Sequence, residues 1–537
     1  MRQSVRIYRD WRQGSSGSAD PAAAEYNSEN AQLYENGTLG PRPGWKEITE
    51  SGTPGMDQAA DELVGVQWYP ETDGGQNLAV VVYDTTATAH AFDTFDLDSG
   101  SWDNNLRALA DLADTGAELS PALYDDSPKA PVANDGSIIT SIGPYLLFAT
   151  ATTIGTVSAV TTASGDARAA VVNRERAYYY GIASKPGRIF YSNAADFSTI
   201  GSTSFFDINA DVDSVAGAPI GLWSVKNSLL IACKDNRWLV LTGASPENGT
   251  LKELGKDVVP LHATATVVDN TVWFLSPTGH GIVAAAPGFV ETEQLAHLSP
   301  LAYPGSTESR PSNSFMPQSG CGDDVNGSLF LPGRKLSNDT SILAVERTNQ
   351  VFTLSRWVRQ STTEDVVFSK GRPNELYCAV DNATDFAMYS RNYTLNRPAN
   401  SGDSLSVALG LEADTASGTD VVVDLGEHAA GQGMVVRPVK VVADIDYWKG
   451  GNYSAPEFSV DATVYGTEAA TPEDVMAQQT VTTSGWTDTV GDVPYKRRVA
   501  VALPNLQFGT RFRIRLTFDN VAIDTIQVYY DEQDDIR

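Results

Sequence analysis

Short apolar runs separated by turn-forming residues recur along most of the chain. The pattern is clearest over residues 178–243, where residues 188–192, 228–233 and 237–241 are apolar runs. β-Branched and aromatic runs of this length, bounded by Gly, Asn and Asp, predict antiparallel hairpins. The polar segment 234–236 predicts a tight turn between the last two. We therefore interpret residues 178–243 as one blade, or parts of two, of a β-propeller.

The same alternation of strand and turn extends from about residue 61 to residue 398. It predicts about six or seven blades with a period of about 40 to 50 residues. A short amphipathic helix is predicted at residues 106–113, between two such blades. The further predicted strands are 63–68, 78–83, 137–142, 145–150, 263–268, 271–276, 281–284, 328–331, 341–345, 351–354, 365–368, 375–380 and 386–389.

Beyond residue 398 the alternation becomes longer and more regular, which is typical of strands with one solvated face. The predicted strands here are 435–447, 497–503, 511–518 and 522–530. The predicted fold class is therefore all-β, a β-propeller with a C-terminal β-sandwich of jelly-roll type. Three units are expected: an N-terminal strand or arm (1–60) leading into the propeller, the propeller (61–398) and the sandwich (399–537).

Three arginines lie at a spacing of two in the predicted strand 511–518. Arg511, Arg513 and Arg515 therefore share one face of that strand. Two interpretations remain open for this face: it contacts an acidic neighbouring subunit, or it is solvated.

Two segments of the chain resemble a known family. Near the N-terminus, Asn36-Gly37 predicts a hairpin turn, and Arg42-Pro43-Gly44-Trp45 follows it. This order is similar to the opening of many phage tail propeller proteins. Residues 188–197 and 219–243 also resemble the β-propeller proteins of tailed-phage tails, in particular the tail nozzle proteins of short-tailed phages. The resemblance implies a virion protein made in the host cytoplasm, a homo-oligomeric ring (a hexamer in that family) and contacts with a tail adaptor or other tail proteins.

The net charge of −29 limits the possible partners. A protein that grips nucleic acid neutralises phosphates with Lys and Arg, so tight DNA binding is disfavoured. An acidic wall still suits a channel through which DNA passes without sticking, so DNA is expected only as non-specific passing cargo. The other interpretation of the charge is solubility. No apolar run approaches the roughly 20 residues that span a bilayer, so no membrane span is expected.

The residues that usually carry chemistry form no recognisable site. The three cysteines (Cys233, Cys321 and Cys378) are too far apart to indicate a disulfide framework, and Cys233 and Cys378 are predicted to be buried in strands. The five histidines lack metal-ligand spacing: His90, His262, His280, His297 and His428. We therefore predict no catalytic, cofactor-binding or metal-binding residues, and no enzyme activity.

Two acidic segments were compared with known loop types. Residues 207–213 alternate acidic and amide side chains as calcium loops do, but lack their characteristic Gly and Glu, so a solvated loop is the alternative. Residues 94–102 resemble the Asp-box turn of some propellers, and we interpret them as a structural turn.

The predicted function is that of a virion structural protein, a nozzle-like or hub-like ring component that lines or closes the DNA exit channel of a tail. The alternative is a carbohydrate-binding or polysaccharide-degrading propeller. The 67 acidic residues leave a carboxylate pair for glycoside hydrolysis possible without indicating one.

Overall fold

A computed structural model describes most of the predicted strands. The described residues are 2–9, 11, 27–34, 36–42, 46–48, 54–55, 62–70, 76–84, 89–104, 107–108, 137–142, 145–150, 161–162, 165–166, 169–174, 176–182, 184–194, 200–243, 246–260, 265–276, 282–293, 315–317, 321–323, 328–335, 342–348, 351–357, 365–370, 375–381, 386–392, 398, 421–431, 433–449, 453, 455–466, 475–486 and 490–534.

The described chain is almost all β. It begins with five short strands, β1 (Arg2–Tyr8), β2 (Asn27–Glu29), β3 (Ala31–Leu33), β4 (Leu39–Pro41) and β5 (Lys46–Glu47).

The middle of the chain carries most of the strands, with one 3-10 turn at Pro246–Asn248. Its strands are β6 (Glu62–Pro70), β7 (Gln76–Asp84), β8 (Ala89–Asp96), β9 (Ser101–Trp102), β10 (Arg107–Ala108), β11 (Ser137–Ile142), β12 (Tyr145–Thr150), β13 (Thr161–Thr162), β14 (Gly165–Asp166), β15 (Ala169–Asn173), β16 (Arg176–Tyr180), β17 (Arg188–Tyr191), β18 (Phe205–Asp207), β19 (Pro219–Val225), β20 (Ser228–Cys233), β21 (Arg237–Thr242), β22 (Thr250–Lys256), β23 (Thr266–Val268), β24 (Thr271–Leu275), β25 (Ile282–Ala286), β26 (Phe289–Glu293), β27 (Phe315–Pro317), β28 (Cys321–Asp323), β29 (Ser328–Lys335), β30 (Ile342–Thr348), β31 (Val351–Trp357), β32 (Asp365–Lys370), β33 (Glu375–Asp381) and β34 (Phe386–Asn392).

The last part of the chain contains longer strands. These are β35 (Val421–Ala429), β36 (Met434–Lys449), β37 (Glu457–Tyr465), β38 (Val475–Thr483), β39 (Val490–Ala502), β40 (Arg511–Asp519) and β41 (Val521–Asp534).

The middle strands form small antiparallel sheets that follow one another along the chain. Four of them are four-stranded, in the orders β15-β16-β17-β18, β19-β20-β21-β22, β23-β24-β25-β26 and β32-β33-β34-β5. The first strands of successive sheets contact each other in the order β6, β11, β15, β19, β23, β28 and β32, and β32 contacts β6 again. The contacts between these sheets therefore form a closed circuit.

Buried side chains join neighbouring sheets face to face. Trp238 on β21 stacks between Trp223 on β19 and Phe274 on β24, with ring centroids 5.8 and 6.0 Å apart. At the start of the circuit, Tyr377 on β33 belongs to the same buried cluster as Val80 on β7. Apolar burial of this kind is the main favourable term in folding, at about 25 cal/mol per Å².

The longer C-terminal strands form two layers around one large core. One layer is a six-stranded sheet of order β3-β4-β41-β36-β39, with β1 also paired to β41. The other consists of β2, β35, β40, β37 and β38, which form one end of a ten-stranded sheet. Buried side chains from both layers make a single cluster, which we call the two-layer core.

Strands β2 to β5, which we call the N-terminal connector, tie these parts together. β2 pairs in parallel with β31 and antiparallel with β35, so one sheet runs from the middle strands into the two-layer core. β4 pairs with β41 through Leu39 and Ile523. β5 is the outer strand beside β34 and completes the β32-β33-β34 sheet. A short stretch of chain therefore contributes strands to three sheets.

The connector's hairpin follows the predicted turn chemistry. Gly37 has φ of +85°, which favours glycine, and Asn36 Oδ1 accepts a hydrogen bond from the Thr38 backbone N–H at 3.1 Å. A Cβ on Gly40 would lie 2.5 Å from the Tyr34 ring. Gly40 therefore lets the aromatic ring pack directly on the backbone.

Several predicted hairpins are confirmed. β6 pairs with β7, β11 with β12, and β20 with β21, as the apolar runs indicated. The segment 178–243 divides between two sheets, β15–β18 and β19–β22. The predicted unit boundaries at residues 60 and 398 stay predictions, while β1, β3 and β4 are paired within the two-layer core.

The predicted helix at 106–113 is wrong where the structure describes it. Arg107 and Ala108 form strand β10, paired with Phe92 and Ala91 of β8. The backbone pairs of an open sheet edge outweigh a short local helical pattern, because isolated helices of this length are marginal. Residues 106 and 109–113 lie outside the described residues.

We expect the two-layer core to depend on the connector. Leu39 is fully buried there, so Leu39→Ala should lower the free energy of unfolding by about 2–5 kcal/mol. The measurement is urea unfolding of the full chain followed by tryptophan fluorescence. Leu251→Ala is the matched control, since Leu251 is 37 % exposed. Equal losses for the two variants would contradict the assigned role.

Candidate functional site

The acidic loop at 207–213 directs its side chains toward cations of the same chain. Asp207 accepts from Arg188 at 2.6 Å, and Asp213 forms an ion pair with Lys185 at 2.5 Å. The amide oxygen of Asn209 accepts from Arg237. Within the described residues, no group of three or more His, Cys, Asp or Glu side chains could hold a metal ion. The loop is thus held by ionic cross-links between strands.

The turn at 94–102 is a side-chain-tied hairpin, in line with its structural interpretation. Asp96 Oδ1 accepts hydrogen bonds from the backbone N–H groups of Asp98 and Ser99 at 2.8 and 3.2 Å. The rings of Phe95 and Trp102 meet at 5.0 Å in an edge arrangement. This turn anchors a buried aromatic pair.

The arginine face on β40 is partnered by acidic residues of the adjacent strand β35. Arg511 donates to Glu427 at 2.7 Å, and Arg513 forms an ion pair with Asp424. The Asp424 carboxylate holds the pKa of Arg513 above its usual value, mainly through that hydrogen bond. Sequence reasoning missed these partners because β35 was not among the predicted strands.

Buried single residues explain two further predictions. Cys233 is fully buried in β20, as predicted, and burial raises the pKa of its thiol to about 12. His428 on β35 lies between the rings of Phe512 and Tyr530, at 5.0 and 4.4 Å. Its Nδ1 is 3.5 Å from Nη1 of Arg6 on β1. The side chains of the other four histidines lie outside the described residues.

An open groove of about 260 Å³ lies on the outer face of the six-stranded sheet. It combines three carboxylates with three cations, and it is lined by Asp444, Ile445, Asp446, Lys496, Arg497, Arg498 and Asp524.

Asp446 is the buried acid of this groove. Its side chain lies 3.9 Å from Lys496, and its Oδ2 accepts from Asn36 of the connector hairpin at 3.4 Å. Burial raises the pKa of Asp446, Lys496 opposes that shift, and Asp524 adds to it. The groove therefore holds one shielded and one exposed carboxylate.

The open edges of the two-layer core differ in chemistry. β38 has the sequence VMAQQTVTT, without a charged residue, and it ends the ten-stranded sheet. β39 ends the facing sheet and carries Pro494 and the basic run Lys496-Arg497-Arg498. Charges and proline are the usual protection of an edge strand, so β39 is protected and β38 is not. The missing charge in residues 475–483 is a signal that sequence reasoning could have used.

Comparisons with known proteins give limited likeness. No protein-family model matches the chain, and no curated protein matches it. Two similar solved structures are BBS1N in complex with ARL6DN (TM-score 0.34, 13% identity, 65% of this chain and 97% of that chain) and a chain of the Mitotic Checkpoint Complex (TM-score 0.35, 13% identity, 66% and 96%). A third is the computationally designed Ika8 protein (TM-score 0.33, 10% identity, 64% and 100%). These scores carry no conclusion about function.

One further structural finding concerns membranes. Within the described part of the chain, no helix is long and apolar enough to cross a bilayer.

We expect His428 to make the docking of β1 depend on pH. Burial and the nearby Arg6 lower the pKa of His428 from 6.5, while Glu532 opposes this. The unfolded chain therefore takes up the proton first as the pH falls. The contribution to stability is present above about pH 6.5 and is lost as the pH falls through the folded-state pKa.

The test compares urea unfolding of the wild type and His428→Phe at about pH 7.5 and pH 5. Phenylalanine keeps the ring contacts and removes the titration, so the variant should lose less stability on acidification. Parallel losses in the two proteins would exclude His428 as the responsible group.

Proposed function

We propose that the chain is a structural protein of a phage-type tail, a nozzle-like or hub-like ring component around the DNA exit channel. The proposed architecture is a β-propeller joined to a C-terminal β-sandwich. The proposed assembly is a homo-oligomeric ring, a hexamer by family resemblance, which meets a tail adaptor or other tail proteins. The role is mechanical and non-enzymatic, and its location is the virion.

The closed circuit of sheet contacts is the observation that carries this proposal. Seven first strands contact one another in cyclic order, and β5 completes the last sheet before the first begins. A propeller closed by a strand from the other end of the repeat has this pattern of contacts. The circuit agrees with the sequence resemblance to tail propeller proteins.

The anchoring of both chain ends supports a mechanical role. β1 pairs along β41, and β41 lies between β1 and β36 in the six-stranded sheet. Chain ends are usually where local unfolding begins. Here the first and last strands support each other, which suits a component that must keep its shape while DNA passes.

The charge supports the proposed surroundings of the DNA path. A net charge of −29 repels the phosphate backbone, so passing DNA would not adhere.

Electron cryo-microscopy of intact virions of the source phage tests the proposal. We expect density for this chain at the tail tip, around the DNA channel, in a closed ring of identical copies. Absence of the chain from purified particles would overturn the proposal. Density on peripheral fibres would instead favour the second candidate.

The second candidate is a carbohydrate-binding or polysaccharide-degrading protein. The groove with Asp446 and Asp524 is the observation that favours it, because glycoside hydrolysis requires a protonated carboxyl group beside an ionised one. The raised pKa of Asp446 suits the acid.

The second candidate predicts release of reducing sugar from host surface polysaccharide by the purified full-length protein. Asp446→Asn should lower this rate by at least about 100-fold, the size of a general-acid contribution. Asp461→Asn is the matched control, since Asp461 lies on β37 in the other sheet and is bound by Gln478 at 2.9 Å. No release by the wild type would exclude the enzymatic form of this candidate.

A further inference from the structure

The free edge of β38 is an unprotected strand edge. The backbone of β38 pairs with β37 on one side, from Phe458↔Thr483 to Tyr465↔Val475. Among the described residues, no strand pairs with its other side. Gln479 accepts from the Asn505 backbone N–H at 3.1 Å, but that contact uses the side chain of Gln479. The outward backbone groups of β38 are therefore available to another strand.

The composition of β38 suits strand addition. Its nine residues include no charge, proline or glycine, and Val475 and Met476 are 40 % and 48 % exposed. A long strand edge of this kind is a template for pairing with another chain.

The charge around this edge indicates the class of partner. β39, in the facing sheet at the same side of the two-layer core, carries Lys496 and Arg498, whose side chains are 83 % and 59 % exposed. This side therefore combines an uncharged strand edge with a basic neighbour, in a chain whose net charge is −29. Its electrostatic complement is an acidic surface, and a second copy of the same chain supplies one.

We propose that the β38 edge, together with the basic run on β39, is the surface at which a second copy of this chain adds a strand. The contact is heterologous: a basic side of one copy meets an acidic side of the next. Two identical β38–β39 sides facing each other would place both basic runs together. Heterologous contacts that close give rings, so this inference deepens the proposed function and rests on it.

Thr480 gives a test that leaves the fold intact. It is exposed on β38 and lies opposite Asp461 on β37. Thr480→Lys gains an acidic neighbour within its own sheet but puts a positive charge on the edge, which is the usual protection against strand addition. Thr480→Val keeps the β-branched shape without charge and is the matched control.

Mass photometry and light scattering of the purified full-length proteins measure the assembly. We expect the wild type and Thr480→Val to assemble alike, and Thr480→Lys to shift the assembly midpoint to at least about tenfold higher protein concentration. Assembly should weaken as salt rises, since the basic run contributes. Circular dichroism and thermal unfolding of Thr480→Lys should match the wild type. Assembly of Thr480→Lys equal to that of the wild type, or a wild type that stays monomeric, would overturn the inference.

A photo-crosslinking amino acid at position 480 identifies what contacts the edge. We expect intermolecular crosslinks to an acidic segment of a second copy. Crosslinks from position 480 to β38 of the second copy would overturn the heterologous arrangement. Crosslinks confined to the chain's own residues would overturn the whole inference.

The outcome is separable from the proposed function. A tail ring in virions whose β38 edges face away from neighbouring copies would overturn this inference and leave the tail role intact. Strand addition at β38 in solution, with no copies in the virion, would do the reverse.

Discussion

Backbone pairing by the N-terminal connector is the constraint on which the rest of the structure depends. β2 lies between β31 and β35 and makes one sheet continuous from the middle of the chain into the two-layer core. β5 completes the sheet of β32–β34, and Tyr377 in that sheet packs with the β7 cluster. Without these short strands, the circuit of sheets would have an open end and the core would lose part of one layer. A few backbone hydrogen bonds thus decide how large apolar surfaces meet.

Apolar packing then stabilises the arrangement that the pairing permits. The stack of Trp223, Trp238 and Phe274 fills the space between two successive sheets. The two-layer core is larger and draws on both ends of the chain, from Tyr8 and Trp11 to Tyr530. Since long-range pairs must form before these surfaces are buried, folding of the two-layer core requires the complete chain.

Charge determines which surfaces are available for contact. Many of the described cations pair with carboxylates of the same chain, as Arg188 does with Asp207 and Arg513 with Asp424. Exposed ion pairs of this kind contribute at most about 1 kcal/mol each, so they fix loops and strand registers more than they stabilise the fold. The exposed basic run on β39 differs from these pairs because most of its charge faces solvent. In a strongly acidic chain, such a site attracts acidic surfaces.

The sequence by itself determined the local elements. Alternating apolar residues and turn signals such as Asn36-Gly37 located β6, β7, β11, β12, β20 and β21, because strand and turn preferences are properties of a few neighbouring residues. It also indicated that Cys233 is buried. The tertiary structure alone decided that β5 joins β34, that residues 107–108 extend a sheet edge, and that Asp424 and Glu427 partner the arginines of β40. The groove around Asp446 was likewise hidden, since its acids come from β36 and β41. Backbone hydrogen bonds are the same for every residue type, so the choice of partner strand is made by burial and charge across the whole fold.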